Sequence, residues 1–223
     1  PQRGGCACCH LDCCMSSAPN DGWVALRAVD RELACCLLFT PSASRGWLAD
    51  LLSLLHELES AVRIPSEPML AAIRLQWWVD AVAGDDPGAA PLVGRLHHHL
   101  ADDRLQQDQL VALIGIWQDR LQQAPDDAPS CWAQAFSMLM TLQVRADLEP
   151  VAATIGHVFA GGAADAVNLP DLADMRRICD ADTRWLFLLA CMLRRGLDGG
   201  AAADDSLLVW RMLAWRWGVR LPS

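Results

Sequence analysis

The sequence predicts an all-α, single-domain protein, and three observations predict it. Apolar residues recur at three-to-four spacing through nearly the whole length after Met15. No run shows sustained period-two alternation rich in β-branched residues, so strands are not expected. Prolines, glycines and capping residues punctuate the chain at helix-length intervals, with no repeat of fixed period and no long linker between them.

Taken in order, Asn20 and Asp21 cap a first helix expected over Trp23 to Phe39, with Val24, Val29, Leu33, Cys36 and Leu37 at its apolar positions. Pro41, Ser42 and Ser44 open a second helix through Trp47, Leu51, Leu54, Leu55, Leu58 and Val62. Pro65 breaks it, having no N–H to donate and clashing with the preceding turn. Ser66 as a cap and Pro68 in the first turn start a third helix that runs to about Ala83, where the loop Gly84-Asp85-Asp86-Pro87-Gly88 ends it. Further helical patterns cover 90–102, 106–123, 129–146, 148–160, 171–196 and 204–217. They are separated at Pro125 to Pro129, Gly161-Gly162, Asn168-Leu169-Pro170 and Gly196 to Ala203.

Of the 223 residues, 53% are hydrophobic and 20% charged, which is enough apolar material for a core and too much for a disordered chain. All 18 basic residues are Arg, Lys and Tyr are absent and Asn occurs only at 20 and 168, the mark of a GC-rich gene. With a net charge of −9 and no cluster of cations, the chain lacks the means to neutralise a phosphate backbone, which excludes nucleic acid as a partner. The longest apolar run, Trp185 to Leu193, is nine residues long. Crossing a bilayer takes roughly 20.

Five of the ten Cys, Cys6, Cys8, Cys9, Cys13 and Cys14, fall within nine residues, with His10 and Asp12 among them. Such a set of soft ligands can hold zinc or copper(I), but its spacing fits no regular zinc knuckle and the segment lacks the regions of a signal peptide. Met15-Ser16-Ser17 reads as a start, so residues 1–14 are expected to be a mis-called start or a disordered tail, and 15–223 the domain. Cys35, Cys36, Cys131, Cys179 and Cys191 lie inside apolar helical patterns, where Cys behaves as a small hydrophobe. They point to a reducing compartment and a cytoplasmic protein.

The most specific stretch is Ser66-Glu67-Pro68-Met69-Leu70-Ala71-Ala72-Ile73-Arg74-Leu75-Gln76-Trp77-Trp78-Val79-Asp80-Ala81-Val82. It resembles the segment SEPxxxxIRLQWWxDA of bacterial squalene/phytoene synthase-like proteins. Asp30-Arg31-Glu32 to Phe39-Thr40-Pro41 and the stretch Leu51 to Val62 are similar to that family's opening helices. The resemblance covers residues 28–83. It implies an isoprenoid-synthase-like helical bundle, shortened in its second half, in a protein of bacterial origin. It also implies a cavity in which Glu57, Arg74, Gln76, Trp77 and Trp78 are the candidate ligand-facing residues.

Active members of that family join two prenyl diphosphates through Mg²⁺ held on two DxxxD motifs. Carboxylates at i and i+4 share a helix face and together chelate a hard cation. The first such position falls at Glu57 and Ala61, where only one carboxylate stands, and Glu59 belongs to another face. No Asp or Glu in the chain has another four residues later. Asn168-Leu169-Pro170-Asp171-Leu172-Ala173-Asp174 is a weak counterpart of the second motif, with its Arg missing and its acids three apart. A helix start with Asp171 near the N-terminal dipole is the expected reading there. In this motif loss the chain resembles the branch that includes the mitochondrial respiratory complex I assembly factor.

The resulting expectation is a non-catalytic protein acting in binding or assembly, with no cofactor, and with a protein partner or a lipid or isoprenoid-like ligand. The alternative is a prenyl transferase that uses Glu57, Asp171 and Asp174 with Mg²⁺. His97-His98-His99 is expected to be a solvated helix face, since consecutive helical residues point about 100° apart and cannot chelate one ion together. His157 is expected to serve packing or a buried hydrogen bond. Trp210, Leu213, Ala214 and Trp217 form one stripe beside Arg211, Arg216 and Arg220. As the last helix of a bundle it is expected to be core with snorkelling Arg, the alternative being peripheral contact with a membrane interface or a partner groove.

Overall fold

Helix is the only regular structure among the described residues of the computed structural model, which are 21–65, 67–84, 86, 88–123, 128–162, 169–197 and 207–222. The Cys-rich segment, Met15, Asn20 and Asn168 lie outside them. The helices are α1 (Asp21–Val29), α2 (Arg31–Leu37), α3 (Ser42–Arg63), α4 (Pro68–Ala83), α5 (Pro91–Ala101) and α6 (Gln107–Gln123). Then follow α7 (Ala128–Leu142), a 3₁₀ turn (Ala146–Leu148), α8 (Glu149–Phe159), α9 (Leu172–Ile178), α10 (Arg184–Leu197) and α11 (Leu208–Arg216).

The long helix α3 organises the bundle. Leu48, Leu51, Leu52, Leu54, Leu55 and Leu58 are all fully buried, and α1, α2, α4, α5, α6 and α7 pack on it. A helix apolar around most of its circumference has to be surrounded. Beyond it, α7 and α8 form a tight pair because Gly156 has no side chain: a Cβ there would lie 2.4 Å from the Trp132 carbonyl oxygen. Trp132, Phe136 and Phe159 fill that seam edge to face and stacked, with centroids 5.0 to 5.9 Å apart. The apolar run found in the sequence becomes α10, whose residues Trp185 to Met192 are buried without interruption.

Two expected helices are each broken into two. The run 23–39 parts at Asp30, whose extended backbone (φ −139°, ψ 97°) and side chain, accepting from the Leu33 N–H at 2.8 Å, cap α2. The run 171–196 parts at Cys179 to Thr183. There Asp180 Oδ1 accepts from the Thr183 N–H and hydroxyl at 3.0 and 2.9 Å, folding the chain into a local turn. Arg145, arriving from the loop after α7, locks that turn by donating to Asp180 Oδ2 at 2.6 Å and to the Ile178 carbonyl at 2.8 Å.

The C-terminal stripe is not core. α11 buries Leu208, Met212 and Trp215, while Trp210 and Trp217 are 69% and 70% exposed. The three-to-four period fits both sides of this helix, and the structure packs the other one. No helix among the described residues is long and apolar enough to cross a membrane.

Candidate functional site

The residues that face one another across α1, α3, α4 and the start of α5 enclose a cleft of about 680 Å³. On α3 and at its C-cap the positions 53, 57, 60, 61 and 64 follow the helical period and bring Ser53, Glu57, Ser60, Ala61 and Ile64 to one wall. On α4, 73, 74, 77 and 78 bring Ile73, Arg74, Trp77 and Trp78 to the opposite wall. Ala25 and Val29 of α1 and Leu92 and Arg95 of α5 complete it.

Trp78 is 7% exposed and Trp77 41%, with the two rings edge to face at 4.9 Å. Trp78 therefore belongs to the wall and Trp77 to the rim. Val29, Ile64 and Ile73 are apolar and exposed at the same cleft. Polar groups are few. The Ser53 hydroxyl is turned back on its own helix, donating to the Ala49 carbonyl at 2.8 Å. Arg95 donates through Nε to Asp50 Oδ1 at 2.6 Å, which leaves Glu57 and Arg74 as the exposed ionic groups of the lining.

Four of the residues that the sequence singles out, Glu57, Arg74, Trp77 and Trp78, thus share one cleft. Gln76 is not part of it. One residue before Trp77, it points to the far side of α4, donates to Asp80 Oδ1 at 2.9 Å and lines a shallow groove against Gln118 and Asp119 of α6. Glu59 is turned away as expected, accepting from Arg120 at 2.8 Å and from the Trp117 indole at 3.1 Å.

A divalent cation does not fit this lining. Glu57 is its one carboxylate among the described residues, and two guanidinium groups share the same walls. Asp171 does not line the cleft: its carboxylate caps α9, accepting from the N–H groups of Ala173 and Asp174 at 2.8 and 2.9 Å. Asp174 pairs with Arg177 at 2.8 Å. No group of three His, Cys, Asp or Glu among the described residues is arranged to hold a metal. Burial pushes the Cys36 thiol well above, and Cys35 above, the ordinary thiol value and lifts Cys179 to about 11, which disfavours their reactive thiolate forms.

Behind the cleft is a polar cluster that sequence reasoning missed. Asp50, 2% exposed in the middle of α3, accepts from Arg95 on one oxygen and from His99 Nε2 at 2.9 Å on the other. Gly22 of α1 lies directly over it, since a Cβ at that position would come within 2.5 Å of Oδ1. A pocket of about 410 Å³ opens beside the cluster, with His98, Asp102 and Arg104 also in its lining. The three histidines are consequently not a solvated face. Only His98 is exposed, while His97 bonds the Ala81 carbonyl at 2.9 Å and His99 holds Asp50.

A signal for this cluster was present in the sequence: Asp50 interrupts the run Trp47 to Leu55, and an acid in a wholly buried stretch requires a partner.

Comparison with family models, with curated proteins and with solved structures finds no match.

Proposed function

We propose that this protein is a non-catalytic binder of apolar, chain-like molecules, built on a shortened isoprenoid-synthase-like bundle of the squalene/phytoene synthase type and acting in binding or assembly. The observation that carries the reading is the cleft itself. Its volume lies within the roughly 300 to 1,000 Å³ of small-molecule sites, and its walls are mostly apolar and aromatic, with one carboxylate and two guanidinium groups among the described residues. Residues 28–83 supply the resemblance to the family, and the same stretch supplies most of the lining. A lipid or isoprenoid-like body is the ligand chemistry that such walls suit, with Trp77 at the rim. A protein delivered or stabilised together with that ligand is the partner an assembly role requires. No observation favours the transferase alternative, which needs carboxylates from a second helix beside Glu57.

The reading is tested by titrating farnesol into the purified chain and following tryptophan fluorescence. Saturable binding is expected, and it is expected to be lost in Ser60→Phe, which fills the cleft, and in Ile73→Glu, which charges its rim. Absence of saturable binding by the unaltered protein would overturn it.

A further inference from the structure

We infer that the outer face of α11 is a docking surface for an anionic membrane interface. The helix is apolar on two opposite sides. Leu208, Met212 and Trp215 face the bundle, and on the far side lie Trp210, Leu213, Ala214 and Trp217, at the spacing that puts all four on one stripe. Leu207, Val209 and Val219 are exposed around the same helix. An exposed surface holding two Trp and several aliphatic side chains marks an interaction site rather than a solvated face.

The borders of the stripe identify the occupant. Arg211 lies on one flank and Arg216 on the other, with Arg220 just beyond the helix, and residues 207–222 contain no acid, although the chain as a whole carries −9. Arg176 of α9 adds a guanidinium at the same end, close against Gly218. Trp rings flanked by guanidinium groups match the level of lipid headgroups, where the ring lies at the boundary with the acyl chains and the cations meet phosphates. At nine residues α11 is far too short to span a bilayer. It can only lie in the interface plane, holding the bundle against the surface.

The test is co-sedimentation of the full chain with vesicles of phosphatidylcholine alone or mixed equally with phosphatidylglycerol. The protein is expected to pellet with the anionic vesicles at low salt, and to bind at least tenfold more weakly to phosphatidylcholine alone or in 0.5 M NaCl, about as screening dictates. Trp210→Ser/Trp217→Ser is expected to lose binding by tenfold or more with an unchanged melting temperature, because both rings are exposed. Arg216→Gln/Arg220→Gln is expected to erase most of the preference for the anionic vesicles. The proposal is overturned if the unaltered chain stays in the supernatant or if the double-Trp variant pellets as well as it does. It is equally overturned if the chain forms a dimer that the Trp substitutions dissociate while neither form binds vesicles, which would give this face to a second copy.

Discussion

Asp50 holds three helices together through one carboxylate. It stands on α3, its oxygens are taken by Arg95 and His99 of α5, and α1 closes over it at Gly22. Removing one member of a buried charged set strands the others without compensation, so Asp50→Ala is expected to cost about 3 to 5 kcal/mol in urea unfolding. Asp50→Asn, which keeps one accepting oxygen, is expected to cost less. Gly22→Ala is expected to destabilise by about 1 to 3 kcal/mol, because the new methyl meets the carboxylate or forces α1 away.

Asp30 makes a contribution to the pH dependence whose sign follows from its surroundings. Burial raises its pKa, but the His56 imidazole 3.5 Å away and the bond from the Leu33 N–H outweigh this and hold the carboxyl below its usual range. The unfolded chain therefore takes up the proton first as pH falls, and the stabilisation is present above about pH 4 and lost progressively below it. Urea unfolding between pH 6 and 3 is expected to show that loss, to which Asp147 and Asp180, also held below the usual range, contribute, and Asp30→Asn is expected to reduce it. At the scale of elements, the two Trp of α4 separate packing from exposure. Trp78 is a wall residue and Trp78→Ala is expected to cost about 3 to 5 kcal/mol, whereas Trp77→Ala at the rim is expected to cost about 1 kcal/mol and to weaken ligand binding instead.

Most helices were legible in the sequence because periodicity and proline placement are local signals, and α3 to α6 fall within a residue or two of the expected runs. The breaks at Asp30 and at 179–183 were not legible. Asp30 caps α2 without disturbing the three-to-four pattern on either side, and the second break is held by Arg145, some 35 residues earlier in the chain. The cleft shows the same division. Glu57, Arg74, Trp77 and Trp78 were singled out, together with Gln76, by the resemblance of residues 28–83, and Gln76 alone of the five faces elsewhere, whereas Arg95 and the Asp50 cluster arise from how α5 lies on α3, which no local pattern encodes. The α11 stripe failed for a different reason: both of its faces satisfy the helical period, so the pattern alone did not say which one the bundle would cover.

For the molecule as a whole, the arrangement of charge around the cleft decides what chemistry it can support. Ionising an allylic diphosphate requires the leaving group's negative charge to be neutralised as it develops, a task for preorganised cations. In this cleft Arg95 is already matched to Asp50, and the remaining guanidinium, Arg74, shares the lining with the Glu57 carboxylate. A diphosphate placed here would meet little uncompensated positive charge, and Glu57 alone offers a divalent cation one ligand. The purified protein is therefore expected neither to release pyrophosphate from farnesyl or geranylgeranyl diphosphate with Mg²⁺ nor to bind them more tightly when Mg²⁺ is added. Ala61→Asp restores the spacing of four on α3, since 57 and 61 both face the cleft, but no second helix contributes a carboxylate among the described residues of its lining. That variant is expected to remain at background in a pyrophosphate-release assay while retaining the helical circular dichroism of the parent. Metal-dependent formation of a C30 or C40 product that disappears in Glu57→Ala would show instead that Glu57 works with groups outside this lining, and the binding reading would give way to the transferase.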